Sequence, residues 1–157
     1  MNFNTVIIRH KKENKKKCSL EPIKDRLDCE FLTYPLKKPL EIENAILLSF
    51  EGKELTKEDQ GKTLILLDAT WKKAEIMYKE VFKEKIPEKR SLPKGFKTAY
   101  PRRQFDCEKP EEGLASIEAL YIAYLAMGQN VDSLLDGYYW KKQFLEQNEG
   151  LITTLLS

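Results

Sequence analysis

LILLDATWKKAE, residues 64–75, joins an unbroken apolar run to an aspartate, a turn and a basic segment. Apolar runs of strand length are typical of strands that are covered on both faces, as in a parallel sheet. Asp68 ends this run, and open parallel sheets bind their ligands at that end, where helix N-termini also point. The stretch therefore predicts a strand over Thr63–Asp68, a helix capped by Thr70 that runs to about Lys85, and a ligand site around Asp68.

Other segments supply the remaining strands and helices. Strand character is found in residues 4–9 (NTVIIR), 31–35 (FLTYP) and 45–50 (AILLSF). After the third, Thr56 and Asp59 can form the capping box of a short helix. Beyond residue 85 we expect a long proline- and glycine-rich loop over residues 87–112, with one short strand in it at 96–99. Two helices should follow, the first over residues 113–128 and the second from about residue 131 to the end. The alternation of strands and helices predicts an α/β fold with a mostly parallel sheet.

The length and composition are those of one globular domain over residues 1–157. The chain can form a single core but not two comfortable ones, and its 41 % hydrophobic residues exclude a disordered chain. No segment approaches the roughly 18 consecutive apolar residues of a membrane span, and the first residues lack the apolar core of a secretory signal. We therefore expect a cytoplasmic protein without a membrane partner.

The cysteines do not form a metal-binding pattern. Cys18, Cys29 and Cys107 contain no C-x-x-C pair, and His10 is the sole histidine of the sequence. A structural zinc site needs about four clustered Cys or His ligands. The sequence therefore predicts free thiols and no metal.

Positive charge is concentrated in two runs although the net charge is only +2. Residues 9–17 (RHKKENKKK) carry seven cationic side chains, counting His10, against one acid, and a second basic run covers residues 83–103. Solvated loops explain most charge runs. Two runs that flank residues 64–75 also fit a surface that binds RNA phosphates.

Asp68 and Trp71 are the first candidates for a ligand site, and each has an alternative structural role. Asp68 could instead cap the turn that starts at Thr70, and Trp71 could belong to the core. Glu118 is the only charged residue from Leu114 to Met127. A buried carboxylate must be paired or hydrogen-bonded, so we expect Glu118 to brace its helix against the preceding loop, with catalysis as the alternative.

Common catalytic and nucleotide-binding motifs are missing. Ser116 lacks the G-x-S-x-G frame of serine hydrolases, and the chain has neither G-x-G-x-x-G nor a P-loop pattern. His10 lies in a cationic run without a nucleophile motif, which favours contact with RNA over a general base.

Several motifs together resemble the DTW-domain family. The family carries D-G-T-W at a strand end, an arginine-rich loop, S-T-x-E-A at a helix start, and H-P-x-E with N-T near the N-terminus. This sequence has DATW at 68–71, YPRRQ at 100–104, ASIEA at 115–119, HKKE at 10–13 and Cys18-Ser19. Lysine replaces the proline of H-P-x-E, which leaves the choice of RNA open.

The resemblance implies both a fold and a reaction. Family members transfer the aminocarboxypropyl group of S-adenosylmethionine to uridine in tRNA, and relatives act on rRNA. The implied fold is a single SPOUT-like domain with a C-terminal trefoil knot, a topology that sequence pattern alone would not suggest. We therefore expect a monomeric tRNA-uridine aminocarboxypropyltransferase that consumes S-adenosylmethionine and uses no metal.

The resemblance also implies roles for individual residues. Asp68 and Trp71 would hold the amino-acid arm, with Asp68 as anchor of its α-amino group or as base, and Ser19 and Ser116 would donate to its α-carboxylate. Adenosine would bind near Ser49, Leu67, Leu92 and Leu114, mainly through backbone groups. Contacts with RNA would come from Arg9, His10, Lys72, Arg102 and Arg103.

Other functions compete with this one. An rRNA-directed aminocarboxypropyltransferase and a SPOUT-type RNA methyltransferase would use the same donor. A non-catalytic RNA-binding module would need the basic runs but neither Asp68 nor Trp71.

Overall fold

A computed structural model of the protein describes residues 4–12, 18–83, 85–101 and 113–157, with only the main chain of Trp71. Its strands are β1 (Thr5–His10), β2 (Cys29–Tyr34), β3 (Ala45–Glu54), β4 (Thr63–Asp68) and β5 (Glu88–Ser91). Its helices are α1 (Trp71–Val81), α2 (Ser116–Met127), α3 (Lys141–Gln147) and α4 (Glu149–Leu156), with short 3-10 helices at Glu21–Ile23 and Lys57–Asp59.

The strands form one sheet in the order β2-β1-β4-β3-β5, and every pairing among the described strands is parallel. The predicted parallel α/β sheet is therefore confirmed. β1 and β4, the two strands with the most buried residues, lie in the middle because a central strand is covered on both faces. Their carboxyl ends meet at one edge, where Asp68 closes β4.

Helices cover both faces of the sheet. Side chains alternate along β1, so Ile7 packs in the cluster that contains α2, whereas Ile8 packs in the cluster that contains Met77 of α1. β4 alternates in the same way, with Leu66 on the α2 face and Ile65 on the α1 face. The result is a three-layer α/β/α arrangement, as expected for a parallel sheet.

α2 is the central helix of the fold. Nine of its residues are buried, which agrees with its almost wholly apolar sequence. It ends at Gly128, which adopts φ +76 while Gly128 N and Gln129 N donate to carbonyls of the last turn, those of Leu125 and Tyr124. A glycine suits this left-handed position because it has no Cβ.

Several predicted boundaries are confirmed. β4 begins and ends where expected, and the capping box of Thr56 and Asp59 is present at the 3-10 helix Lys57–Asp59. α1 begins after Thr70, as predicted, although the Thr70 hydroxyl makes no capping hydrogen bond and the helix ends at Val81 rather than Lys85.

The prediction of a strand at residues 96–99 was wrong, because these residues form no strand. The fifth strand is instead β5, four residues of the sequence EKRS that pair with β3 at the edge of the sheet. Because three of its four residues are charged, a pattern of hydrophobic residues does not predict this strand. Arg90 is nevertheless buried, because its guanidinium pairs with Asp59 at 3.2 Å and Glu88 at 2.9 Å.

Two further elements differ from expectation. β3 continues to Glu54 through an irregularity in its pairing with β5, where Gly52 adopts φ +92 and a Cβ would lie 2.4 Å from the Lys89 carbonyl oxygen. The single helix expected from about residue 131 is instead two helices, of which the first begins only at Lys141 and which meet at Asn148. The Asn148 side chain hydrogen-bonds the main chain of Lys97 in both directions, which fixes the bend.

Cys18 and Cys29 are free thiols, and Cys107 lies outside the described residues. Within the described part of the chain, no three His, Cys, Asp or Glu side chains group closely enough to hold a metal ion. None of the described helices has the length and apolar character needed to cross a membrane.

Candidate active site

Arg9 and Asp68 are direct neighbours at the carboxyl edge of the sheet. They are register partners in the parallel pairing of β1 with β4, so their side chains leave the same face of the sheet, the one covered by α2. Arg9 Nε lies 3.5 Å from Asp68 Oδ2. Arg9 is 8 % exposed and Asp68 7 % exposed, so the sheet register itself creates a shielded ion pair.

Asp68 also connects two other segments of the chain. Ser116, the first residue of α2, donates from Oγ to Asp68 Oδ1 at 2.8 Å. Cys18 donates from Sγ to Asp68 Oδ2 at 3.1 Å. The helix cap considered for Asp68 would require bonds to the first turn of α1, whereas its hydrogen bonds within the described residues go to Cys18 and Ser116. Asp68 thus faces the α2 side rather than its own helix.

Cys18 lies at the candidate site, although the sequence analysis gave it no role there. Burial, followed by the negative charge of Asp68 and the hydrogen bond to it, raises the pKa of the Cys18 thiol to about 12. The thiol is therefore protonated at neutral pH and acts as a donor. The one indication in the sequence was the position of Cys18 directly before Ser19, because this pair occupies the place of the family's N-T motif.

Arg9 lies inside the site rather than on the basic surface. Its Nη1 donates to Glu21 Oε2 at 3.1 Å, and its guanidinium lies 5.1 Å from the centre of the Phe31 ring. Nε and Nη2 have no hydrogen-bond partner among the described residues. The RNA contact predicted for Arg9 would need an exposed side chain, so the geometry favours a ligand within the site instead.

The two serines predicted to bind an α-carboxylate are engaged with the protein. Ser19 Oγ accepts from the main-chain N–H of Ile117 at 3.2 Å, which satisfies one of the free donors at the start of α2. Ser116 Oγ is bonded to Asp68. Both serines therefore lie at the site, where they position α2 and Asp68.

Glu118 is fully buried and accepts four hydrogen bonds. Oε1 accepts from Thr98 Oγ1 at 2.6 Å and from Ala115 N at 2.9 Å, and Oε2 accepts from Ala99 N at 2.9 Å and Tyr138 OH at 3.0 Å. Burial, with the charge of Glu118 second, raises the pKa of Tyr138, which keeps the phenol a donor. Glu118 thus ties the start of α2 to residues 98–99 and to the segment before α3.

His10 follows Arg9 at the end of β1 and lies in a cationic environment. Its ring is 5.3 Å from the ring of Tyr34, and its Nδ1 accepts from the main-chain N–H of Lys12. Burial lowers the pKa of His10, and the charges of Lys73, Lys12 and Lys11 lower it further. These lysines are therefore close to His10, the last residue of β1.

The remaining predicted residues are distributed around the sheet. Lys72 is exposed on α1, while Leu92 and Leu114 are half-buried against the α2-side cluster. Ser49 is half-buried in β3, and its Oγ accepts from Glu51 N. The Leu67 side chain packs on the α1 face of the sheet, whereas the Asp68 side chain lies on the α2 face.

Three predicted residues are not described at the level of their side chains. Trp71 is the first residue of α1, but its indole lies outside the described part of the structure. Arg102 and Arg103 lie outside the described residues altogether.

Comparisons with known proteins agree with the motifs found in the sequence. Residues 2–153 match the DTW domain. Among solved structures, the chain is similar to the SAM-dependent rRNA:acp-transferase Tsr3 from Vulcanisaeta distributa, with a TM-score of 0.74 and 20 % sequence identity over 98 % of this chain and 83 % of that chain. A search of curated proteins gave no significant match. The DTW domain covers nearly the whole chain, and the protein therefore belongs to the DTW-domain family.

Proposed function

We propose that this protein transfers the 3-amino-3-carboxypropyl group of S-adenosylmethionine to N3 of a uridine in tRNA and releases methylthioadenosine. The observation that carries the proposal is the buried Asp68 at the carboxyl edge of a parallel sheet, within a DTW domain. A shielded carboxylate at this edge is suited to bind the ammonium group of an amino-acid arm, because the charge pair is stronger where water is excluded.

The reaction is an alkylation that requires positioning more than activation. The N3–Cγ bond forms while the Cγ–S bond breaks, and the electron pair of that bond neutralises the sulfonium. The proton of N3 passes to a base or to solvent. Since the sulfonium is already a good leaving group, the protein must present Cγ, rather than the methyl carbon, to the base.

Asp68 is proposed as the anchor of the α-ammonium group. Ser116 and Cys18 hold its carboxylate in place, and an anchor needs a fixed orientation more than a high basicity. Trp71, three positions later at the start of α1, is proposed as the second residue that holds the arm. Glu118 is proposed as a structural residue, because all its hydrogen bonds lie within the protein framework.

The adenosine moiety is proposed to bind on the α2 face next to Asp68. Leu92 and Leu114 are half-buried against the same apolar cluster that underlies the site, and Ser49 lies in β3 on the neighbouring part of the sheet. Leu67 would take part through its main chain, since its side chain packs on the other face.

RNA is proposed to bind over the end of β1. His10, Lys11, Lys12 and Lys73 form a cationic patch there, which we call the His10 patch. Lysine contacts with phosphates release counterions and supply affinity without sequence preference. The uridine would be a loop nucleotide, because unpaired bases can be turned into a site. Lys72, Arg102 and Arg103 are proposed to extend this contact.

The remaining features of the proposal come from the family resemblance. We propose a monomeric, cytoplasmic enzyme formed by one domain over residues 1–157, with the SPOUT-like topology and its C-terminal trefoil knot. S-adenosylmethionine would be consumed as a co-substrate, without a metal.

A labelling experiment tests the reaction. Purified protein is incubated with tRNA or with rRNA and with S-adenosylmethionine labelled either in the carboxyl group or in the methyl group. Carboxyl label in tRNA that is absent from the methyl reaction supports the proposal, and digestion to nucleosides followed by mass spectrometry identifies the base. Asp68→Asn should abolish labelling while the far-ultraviolet circular dichroism spectrum is retained.

The other outcomes identify the competing functions. Carboxyl label confined to rRNA would support the second candidate, an rRNA aminocarboxypropyltransferase, which the likeness to Tsr3 favours. Methyl label would indicate a methyltransferase. RNA binding without transfer of either label would indicate a binding module.

A further inference from the structure

The guanidinium of Arg9 is buried but only partly hydrogen-bonded. Nη1 donates to Glu21, whereas Nε and Nη2 are shielded from solvent and have no hydrogen-bond partner among the described residues. The Arg9 side chain is only 9 % exposed. Buried polar groups are nearly always hydrogen-bonded, since an unpaired donor loses its hydration without compensation. The Nε/Nη2 edge is therefore suited to an acceptor that the protein does not itself provide.

The geometry of this edge selects a carboxylate. Nε and Nη2 present two parallel N–H groups, which match the two oxygens of a carboxylate in a bidentate pair. Asp68 approaches Nε at 3.5 Å but makes no hydrogen bond to it. Its two oxygens already accept from Ser116 and Cys18. A second carboxylate can therefore bind to the edge while Asp68 keeps its hydrogen bond from Ser116.

The charges around Arg9 suit a zwitterion. Asp68 and Glu21 both pair with Arg9, so two carboxylates face one guanidinium. A carboxylate bound alone would add to the negative charge, whereas an amino-acid group brings a compensating ammonium. In an amino acid the two charged groups share one carbon, and Arg9 and Asp68 are register neighbours on adjacent strands. One α-carbon can thus place its ammonium at Asp68 and its carboxylate at Arg9.

We propose that Arg9 binds the α-carboxylate of the amino-acid arm of S-adenosylmethionine, while Asp68 binds the α-ammonium. This inference rests on the proposed function, and it gives Arg9 the task that the sequence analysis assigned to Ser19 and Ser116. Those two serines keep their observed bonds to Ile117 and Asp68.

Entry of the arm requires one neighbouring group to move. The Cys18 thiol is half-buried and donates to the same Asp68 oxygen that lies nearest Arg9. A thiol is a weak donor, so the ammonium of the arm can replace it at Asp68 Oδ2.

Three ligands that share the methylthioadenosine part but differ in the arm test this assignment. Dissociation constants are measured by calorimetry for S-adenosylmethionine, for its decarboxylated form, and for methylthioadenosine, which lacks the arm. In Arg9→Gln we expect S-adenosylmethionine to bind about 10- to 100-fold more weakly, the loss of a charge-assisted pair. The decarboxylated ligand should bind equally well or more tightly, because a cation near its ammonium has gone, and methylthioadenosine should be unchanged.

Two further variants complete the test. Arg9→Lys keeps the charge but not the two parallel donors, so it should show a smaller loss that is again confined to the carboxylated ligand. Arg26→Gln is the matched control, since Arg26 pairs with Asp28 away from this site and should leave all three constants unchanged.

The outcomes separate this inference from the proposed function. If Arg9→Gln weakens all three ligands equally, Arg9 only supports the site and the inference is wrong. Partial unfolding would weaken the binding of all three ligands to the same degree, so the ratios of their dissociation constants still report the effect of Arg9 itself. If Arg9→Gln does not fold, the same ratios measured for Arg9→Lys test the inference. If the wild-type protein binds no S-adenosylmethionine at all, the proposed function fails first.

Discussion

Ser116, the first residue of α2, donates a 2.8 Å hydrogen bond from Oγ to Oδ1 of Asp68, the last residue of β4. The bond joins the central helix to the carboxyl edge of the sheet and fixes the orientation of the carboxylate. Replacement of Ser116 by alanine should leave a nearly buried oxygen without its donor.

We expect Ser116→Ala to lower the rate of aminocarboxypropyl transfer about tenfold and the free energy of unfolding by about 1–2 kcal/mol. Ser116→Thr, which keeps the hydroxyl, should retain most of the activity. Single-turnover transfer and urea unfolding of the three proteins measure both effects. Equal activity of the wild type and Ser116→Ala would show that Asp68 does not depend on this bond.

Glu118→Gln should destabilise the fold. Glu118 accepts four hydrogen bonds from Thr98, Ala99, Ala115 and Tyr138, and the amide nitrogen of glutamine would face two of these donors. A loss of about 3 kcal/mol in the free energy of unfolding is expected in urea denaturation. Glu146→Gln, on the exposed face of α3, is the control and should change stability little. A stable Glu118→Gln protein would contradict the structural role.

The Cys18 thiol should be unreactive near neutral pH. Its pKa is raised from 9.0 to about 12 in the folded protein, and the thiolate is the form that alkylates. The rate of alkylation by iodoacetamide is followed by mass spectrometry of the Cys18 peptide. In folded protein this rate should still increase with pH above pH 9, where the alkylation rate of unfolded protein approaches its maximum. Asp68→Asn removes a negative neighbour and should speed the reaction. An alkylation rate of folded wild-type protein equal to that of unfolded protein would contradict the raised pKa.

The same shift affects stability at alkaline pH. The folded state binds the thiol proton more tightly than the unfolded state, so the contribution of Cys18 to stability is complete below about pH 9. It is lost progressively as the pH rises from 9 towards 12.

Lys73→Gln should weaken RNA binding and reduce its salt dependence. Lys73 belongs to the His10 patch, and each phosphate contact contributes to the slope of log affinity against log salt concentration. We expect the slope to decrease by about one unit in filter-binding or fluorescence titrations. Lys142→Gln, an exposed position on α3, should leave the slope unchanged. Identical slopes for Lys73→Gln and the wild type would place the RNA elsewhere.

Sequence reasoning was most accurate where local pattern and burial agree. The apolar run that ends in Asp68 predicted β4 to the residue, and the lone glutamate of α2 predicted a satisfied, buried carboxylate. It failed for β5, because the strand consists of charged residues whose burial depends on the ion pair between Arg90 and Asp59. It also missed Cys18, whose partner Asp68 lies fifty positions away in the chain.

The sequence alone determined the α/β class, the end of the sheet at which the candidate site lies, and membership of the DTW-domain family, because these depend on residue types and their order along the chain. Tertiary structure decided which side chains meet there. Arg9 belongs to a cationic run and reads as a surface residue, yet the register of β1 against β4 places it beside Asp68 within the shielded site. Strand register is a long-range property, set by the packing of both sheet faces, and local pattern does not contain it.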